Sequence, residues 1–112
     1  MDAITWQDFK KVSLKVGTII KVEEYLEAKR PTYILYVNLG EELGIKKSSA
    51  QVTEHYKIGD LIGKQVVCVT NFPSKQIGRV MSEVLITGFP DDNGDVVLCT
   101  VDAPVANGVS LF

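Results

Sequence analysis

The feature that most constrains the fold is a run of alternating apolar and polar residues from Val12 to Val22. A period of two residues is typical of a β-strand that buries one of its faces. One face of this run is predicted to carry Val12, Leu14, Val16, Thr18, Ile20 and Val22. Gly17, in the middle of the run, indicates a bulge or a tight bend, which lets a strand curve around a small barrel. We therefore expect this run to be one strand of a curved sheet.

Further strand-like runs follow, separated by glycine, proline and asparagine. They cover residues 33–39, 46–52, 64–70, 82–87 and 96–101, with a last piece at 109–112. A helical turn is predicted at 53–56, and a short helix over 5–11, where Thr5 and Asp8 can form a capping box. Asn93-Gly94 is a strong hairpin signal. Five main strands with a short helix between the third and the fourth predict an all-β, OB-type barrel with extra C-terminal strands.

Length and composition place the chain among ordinary globular proteins. Its 112 residues suit one hydrophobic core, so a single domain over 1–112 is predicted. No apolar run approaches the roughly 18 residues of a membrane span, and no signal peptide is evident, so a cytoplasmic protein is expected. Cys68 and Cys99 lie in valine-rich runs and are expected to be free thiols. The only histidine, His55, has no evident nucleophile partner and there is no Cys-x-x-Cys pair, so neither catalysis, a metal nor a cofactor is expected.

Charge is distributed unevenly along a chain whose net charge is −2. Residues 43–82 carry six basic and two acidic side chains, a local charge of +4, whereas residues 83–112 carry five acidic and no basic ones. A local basic face matters more for phosphate binding than the overall charge does. The alternative is a solvated surface on which basic residues cluster by chance, and composition does not separate the two.

Residues 71–83 are predicted to be a ligand-facing loop, because a turn does not need their selection of side chains. Phe72 could stack on an unpaired base or plug the end of the core. Lys75 and Arg79 suit phosphate contacts, or they are simply solvated. Polar groups for base edges or 2′-hydroxyls come from Asn71, Gln76 and Ser82. Turn stabilisation is the alternative role for Asn71.

The other wall of the candidate site is predicted to be the polar third strand. Its contributing residues are Lys46, Lys47, Ser48, Ser49 and Gln51. Glu83 could accept hydrogen bonds from base amino groups or orient Arg79. Residues 23–31 are interpreted as a charged connection that ends at Pro31.

Several of these segments resemble the stand-alone tRNA-binding-domain family, and most of all its CsaA branch of secretion-associated chaperones. The matching segments are 14–19, 48–53 with Tyr56, 61–67, Asn71-Phe72-Pro73, Ser82-Glu83-Val84-Leu85 and 103–108. The resemblance covers roughly Val12 to Leu111. It implies an OB-fold, tRNA as a partner and a homodimeric state. Family members tend to carry adjacent cations in the loop that holds Lys75 and Arg79, and this chain departs from that pattern.

Three functions are compatible with these observations. The first is a non-catalytic, homodimeric tRNA-binding protein. The second, which the CsaA resemblance implies, is a chaperone for unfolded polypeptides or preproteins, with an apolar groove formed by Tyr25, Leu26, Pro31, Tyr33 and Phe72. The third is a purely structural adaptor.

Apolar residues near the C-terminus indicate where two subunits could meet in a dimer. They exceed what a five-stranded barrel needs and comprise Val96, Val97, Leu98, Val101, Val105, Val109, Leu111 and Phe112. Either the chain's own barrel or a second subunit must cover them, which makes a dimer interface a natural hypothesis.

Overall fold

Nine strands and three helices of about one turn make up the fold in the computed structural model, which describes residues 1–112. The strands are β1 (Leu14–Glu24), β2 (Tyr33–Asn38), β3 (Ile45–Ala50), β4 (Gln65–Val69), β5 (Lys75–Ile77), β6 (Val80–Ser82), β7 (Leu85–Ile86), β8 (Gly88–Pro90) and β9 (Val96–Leu98). The helices are α1 (Trp6–Lys10), α2 (Gly40–Leu43) and α3 (Ile58–Leu61). None of these helices is long enough to cross a membrane.

The central sheet is antiparallel, with strand order β3-β2-β1-β4-β7. β1 is long enough to serve both halves of the sheet, since its first part pairs with β4 and its second part with β2. The open side is bridged by the backbone N–H of Glu83, which donates to the carbonyl of Lys47 at 2.8 Å, and by that of Ser49, which donates to Ser82 Oγ at 3.0 Å. These bonds nearly close a five-stranded barrel, so the predicted OB-type fold is confirmed.

The barrel interior is filled by aliphatic side chains and one thiol. Its fully buried members are Ile19, Leu35, Val37, Leu39, Leu61, Val66 and Cys68. Burying an aliphatic side chain of this size contributes roughly 1.5–3 kcal/mol. The strand predicted over residues 33–39 is confirmed as β2, in which Leu35 and Val37 point inward while Ile34 and Tyr36 are partly exposed.

The bulge of β1 lies at Ile20, three residues after the glycine that predicted it. The pairing with β2 shifts between Ile19 and Lys21, which makes Ile20 the extra residue. The shift reverses the alternation, so Ile19 is fully buried while Ile20 is 43% exposed. The predicted face is therefore wrong at Ile20, whereas Val22 pairs with the buried Leu35 and packs against the core as predicted. Gly17 meets a different need, because a Cβ at this position would overlap the Val37 side chain.

The helical turn before β4 was also misplaced by the sequence pattern. Thr53 to His55 form a non-helical turn, and the helix is α3, five residues later. Lys57 is the residue that precedes the first turn of α3, and its backbone N–H donates to Asp60 Oδ2 at 3.1 Å. This hydrogen bond stabilises the start of the helix. Leu61 is fully buried, so core packing fixes its position.

Both termini extend the barrel. The capping box of α1 is confirmed, with Asp8 N–H donating to Thr5 Oγ1 at 3.1 Å, but no residue of this helix is buried. β8 and β9 form the hairpin that Asn93-Gly94 predicts. The last residues lie along the first half of β1, where Leu111 N–H donates to Leu14 O at 2.8 Å and Gly108 N–H to Val16 O at 2.7 Å.

Candidate nucleic-acid interface

A groove runs past the end of β3, between the β5–β6 hairpin and the β1–β2 loop (residues 25–32). It has two adjoining parts, which share Ser49 and Ile77. The hairpin part, of about 640 Å³, is lined by Ser48, Ser49, Phe72, Pro73, Ser74, Lys75, Ile77, Ser82, Glu83, Val84 and Leu85. The loop part, of about 600 Å³, is lined by Tyr25, Glu27, Ala28, Lys29, Arg30, Thr32, Ser49, Ala50, Gln51, Ile77 and Gly78. In OB-folds this face and the corresponding loops bind oligonucleotides.

The segment predicted to be an open loop is largely a β-hairpin. Lys75 pairs with Ser82 and Ile77 with Val80, and Gly78 and Arg79 form the turn. The buried hydroxyl of Tyr25 accepts a hydrogen bond from the Arg79 backbone N–H at 2.9 Å. Gly78 has φ +61°, and a Cβ there would overlap that hydroxyl. The close approach therefore requires glycine, and it fixes the hairpin against the β1–β2 loop.

The groove brings together seven of the predicted RNA contacts. Phe72 is 57% exposed, which removes its alternative role as a core plug. It lines the hairpin part with the exposed Lys75 and with Ser48, Ser49, Ser82 and Glu83, while Gln51 lies in the loop part. Ser48 is buried, and Ser82 donates from Oγ to Ser48 Oγ at 3.3 Å. An aromatic ring, a cation and several hydroxyls thus face one cleft.

Five predicted contacts lie outside the groove lining. Asn71 uses its amide to tie the end of α1 to β4, since Nδ2 donates to Lys11 O at 2.7 Å and Oδ1 accepts from Ser13 N–H at 3.0 Å. Asn71 thus stabilises the local chain, which is the alternative role that the sequence left open for it. Gln76 donates from Nε2 to Gly78 O at 2.8 Å, within its own turn. The remaining three are Lys46, Lys47 and Arg79.

Glu83 joins the two sides of the barrel. Its Oε1 accepts from the Lys47 backbone N–H at 3.1 Å, and its Oε2 lies 3.9 Å from Lys46 Nζ. The hypothesis that Glu83 orients Arg79 is wrong, because Arg79 Nε donates to Glu27 of the β1–β2 loop instead. That hydrogen bond and the charge of Glu27 raise the pKa of Arg79 above its usual value.

Two cations in the groove were overlooked in the sequence. Lys29 and Arg30 line the loop part, whereas the sequence pattern predicts a charged connection without a binding role for these two residues. The signal was present, because the loop between the first two strands of an OB-fold belongs to its ligand face. Conversely, of the six cations in the basic stretch 43–82, Lys75 alone lines the groove. The basic stretch of the sequence is therefore not one basic face of the molecule.

The apolar groove predicted for polypeptide binding is formed in part, because four of its five residues share one depression, two of them buried, and Phe72 lies elsewhere. Tyr25 and Tyr33 are each only 8% exposed, and Tyr33 donates from its hydroxyl to Tyr56 O at 3.0 Å. Leu26 and Pro31 are exposed and share with both tyrosines a depression of about 450 Å³ beside the loop part. Phe72 lines the hairpin part instead. The tyrosines belong to the core because their rings are covered while their hydroxyls find partners.

The remaining reactive groups do not line the groove. His55 Nε2 lies 2.6 Å from Asp91 Oδ2, which lowers the pKa of Asp91 through a hydrogen bond and links the turn after β3 to the β8–β9 hairpin. Cys68 and Cys99 are free thiols; Cys68 is fully buried and Cys99 partly exposed. Burial raises the pKa of Cys68 to about 12, so this thiol stays protonated at neutral pH.

Comparison with known proteins identifies relatives over nearly the whole chain. Residues 14–110 match the family described as "Putative tRNA binding domain". The CsaA chaperone of Bacillus anthracis str. Ames is 40% identical, with a TM-score of 0.91, and the match covers 99% of this chain and 100% of that one. The CsaA chaperone of Picrophilus torridus is 41% identical, with a TM-score of 0.90 and coverages of 98% and 100%.

Curated relatives include much longer enzymes. The methionine–tRNA ligase of Methanocaldococcus jannaschii is 31% identical over 108 residues, which are 96% of this chain but 16% of that protein. The methionine–tRNA ligase of Nanoarchaeum equitans is 33% identical over 105 residues, or 94% and 13% respectively. The chain thus spans about a sixth or less of the length of these ligases. The family match over residues 14–110 shows that the chain belongs to the tRNA-binding-domain family. Within that family it is similar over nearly its full length to the two CsaA chaperones.

Proposed function

We propose that this chain is a non-catalytic tRNA-binding protein that acts as a cytoplasmic homodimer. The observation that carries the proposal is the exposed ring of Phe72 beside Lys75, in a groove whose other rim holds Lys29 and Arg30. An aromatic ring flanked by cations is the arrangement with which proteins hold unpaired bases and their phosphates. The family description and the names of the ligase relatives support tRNA as the partner.

The groove favours recognition of shape and unpaired bases over attraction by bulk charge. A base stacked on Phe72 would contribute ~1–3 kcal/mol. Three cations line the groove, together with two carboxylates, Glu27 and Glu83. The serine hydroxyls and Gln51 supply donors and acceptors for 2′-hydroxyls, which DNA lacks. A single-stranded or looped part of tRNA fits this mixture better than a regular duplex does.

Fluorescence anisotropy with labelled tRNA at low salt tests the proposal. Phe72→Ala is expected to weaken binding roughly 5- to 150-fold, in line with the stacking energy. Lys75→Glu is expected to weaken it about five- to tenfold and to flatten the dependence of affinity on salt, because fewer counterions are released. Lys57→Glu is the matched control, since Lys57 is exposed, carries the same charge and does not line the groove. No binding by the wild type at low salt, or equal weakening by the control, would contradict the proposal.

The proposed dimer rests on apolar side chains at the two ends of the chain. Trp6 and Val12 are exposed beside the start of β1, and Leu111 and Phe112 follow the segment that pairs with that same start. A helix of five residues with no buried side chain has little stability alone. A second copy of the chain that covers this region would bury these residues and hold α1 in place.

A chaperone for unfolded polypeptide is the second candidate. The hairpin part of the groove carries apolar side chains from Phe72, Pro73, Ile77, Val84 and Leu85. Such a surface could hold an extended apolar segment, as the names of the two CsaA relatives suggest. Binding of an unfolded polypeptide that is insensitive to salt, and is lost in Phe72→Ala but kept in Lys75→Glu, would favour this function over tRNA binding.

A further inference from the structure

The two rims of the groove are joined at one point, where the hairpin turn meets the β1–β2 loop. Arg79 donates from Nε to the carboxylate of Glu27, and its backbone N–H donates to the Tyr25 hydroxyl at 2.9 Å. Gly78 packs directly against that hydroxyl. The ion pair between Arg79 and Glu27 therefore lies beside a second contact, from the Arg79 backbone to Tyr25, which keeps the hairpin turn and the β1–β2 loop close together.

The hydrogen bond from the Arg79 backbone to the Tyr25 hydroxyl places the backbone of Arg79 close to that of Glu27, so the two side chains of the ion pair start from fixed positions. Tyr25 is buried, and its backbone N–H donates to Thr32 O at 2.9 Å, which closes the β1–β2 loop on itself. Glu27 follows Tyr25 by two residues, and Arg79 is bonded to Tyr25 directly. The backbone of both residues is thus fixed near Tyr25, although their side chains are about half or more exposed.

Glu27 is the only acidic residue that lines the loop part of the groove, where Lys29 and Arg30 offer positive charge. A carboxylate at this place repels any phosphate that enters. It also occupies the Nε of Arg79, one of the donors that a guanidinium uses to bind a phosphate with two parallel hydrogen bonds. Arg79 is therefore held by an anion of its own chain.

We infer that Glu27 sets the affinity of the groove by competing with RNA phosphate for Arg79. The ligand class is an RNA strand that places a phosphodiester beside Glu27 at the edge of the loop part, where the phosphate takes Arg79 over from Glu27. This inference rests on the proposed function, and it assigns Glu27 a positioning role that acts through Arg79. It predicts that removal of the Glu27 carboxylate strengthens RNA binding by more than the removal of an exposed carboxylate elsewhere on the surface does.

The test compares wild type, Glu27→Gln, Arg79→Gln and the double variant by anisotropy with labelled tRNA. Glu27→Gln is expected to bind about two- to fivefold more tightly, the range typical of an exposed ion pair. Its affinity should also fall more steeply with salt, by up to about 0.7–0.9 in the logarithmic slope, because one more phosphate contact forms. In the Arg79→Gln background the gain should disappear. Glu24→Gln is the matched control, because Glu24 is exposed in the same region and lies outside the loop part of the groove.

A spectroscopic readout separates this role from a merely structural one. Arg30 and Arg79 are the only arginines, so a ¹H–¹⁵N spectrum of side-chain Nε–H groups contains two signals to assign. The Arg79 signal should shift in free Glu27→Gln, and in the wild type it should shift when tRNA is added, because a phosphate replaces the Glu27 carboxylate as the partner of Nε.

The outcomes distinguish the inference from the proposed function. If the wild type binds tRNA and Glu27→Gln binds no better, or if Glu24→Gln gains as much, the inference is overturned while the proposed function stands. A gain that persists without Arg79 overturns it as well. If neither the wild type nor Glu27→Gln binds tRNA at low salt, both fail.

Discussion

Tyr25 illustrates how one side chain organises the candidate interface. It lies among charged residues, with Glu23 and Glu24 before it and Glu27 two residues after it, and this context favours an exposed ring. In the structure the ring is buried and its hydroxyl holds the turn of the β5–β6 hairpin. Local sequence cannot indicate this, because the partner of the hydroxyl is 54 residues away. The same limit applies to Glu83, whose contacts with Lys46 and Lys47 depend on barrel closure.

Replacing Gly78 by alanine tests the contact with Tyr25. The left-handed backbone at this residue and the overlap of a new Cβ with the Tyr25 hydroxyl are expected to lower the free energy of unfolding by about 1–3 kcal/mol. Urea unfolding measures the change. Gly59→Ala is the matched control, because Gly59 lies in α3 with open space around it and an ordinary φ, so alanine should be neutral or slightly stabilising. Equal destabilisation by both variants would argue against the contact.

At the scale of elements, the long alternating runs were predictable and the short ones were not. β1, β2 and β4 each bury one face against the core, and this leaves a period of two in the sequence. The β5–β6 hairpin has strands of three residues among Pro73, Gly78 and several charges, too short for a pattern to form. Thr53 resembles a helix cap, yet the burial of Leu61 decides where α3 lies. Tertiary packing thus overrides local signals at the elements that shape the groove.

For the whole molecule, the distribution of exposed apolar residues predicts its oligomeric state. Leu111→Asp is expected to convert a dimer into a monomer of half the mass, because a buried carboxylate without a partner is costly. Light scattering coupled to size-exclusion chromatography measures the mass directly. Ile62→Asp is the matched control, since Ile62 is 47% and Leu111 49% exposed, and Ile62 follows α3 and belongs to neither of the terminal segments proposed to form the dimer. A monomeric wild type would contradict the proposed dimer.

The central claim concerns the face on which RNA binds, and amide chemical-shift mapping during titration with tRNA tests it most directly. The account predicts shifts along both rims of the groove, at Phe72, Lys75, Ser49 and Lys29. The turn of the β8–β9 hairpin, with Asp91, Asp92 and Asp95, is an internal control, because its carboxylates should repel phosphate. Shifts that cluster in the groove and leave this turn unchanged would support the account. Shifts confined to another surface, or none at low salt, would contradict it.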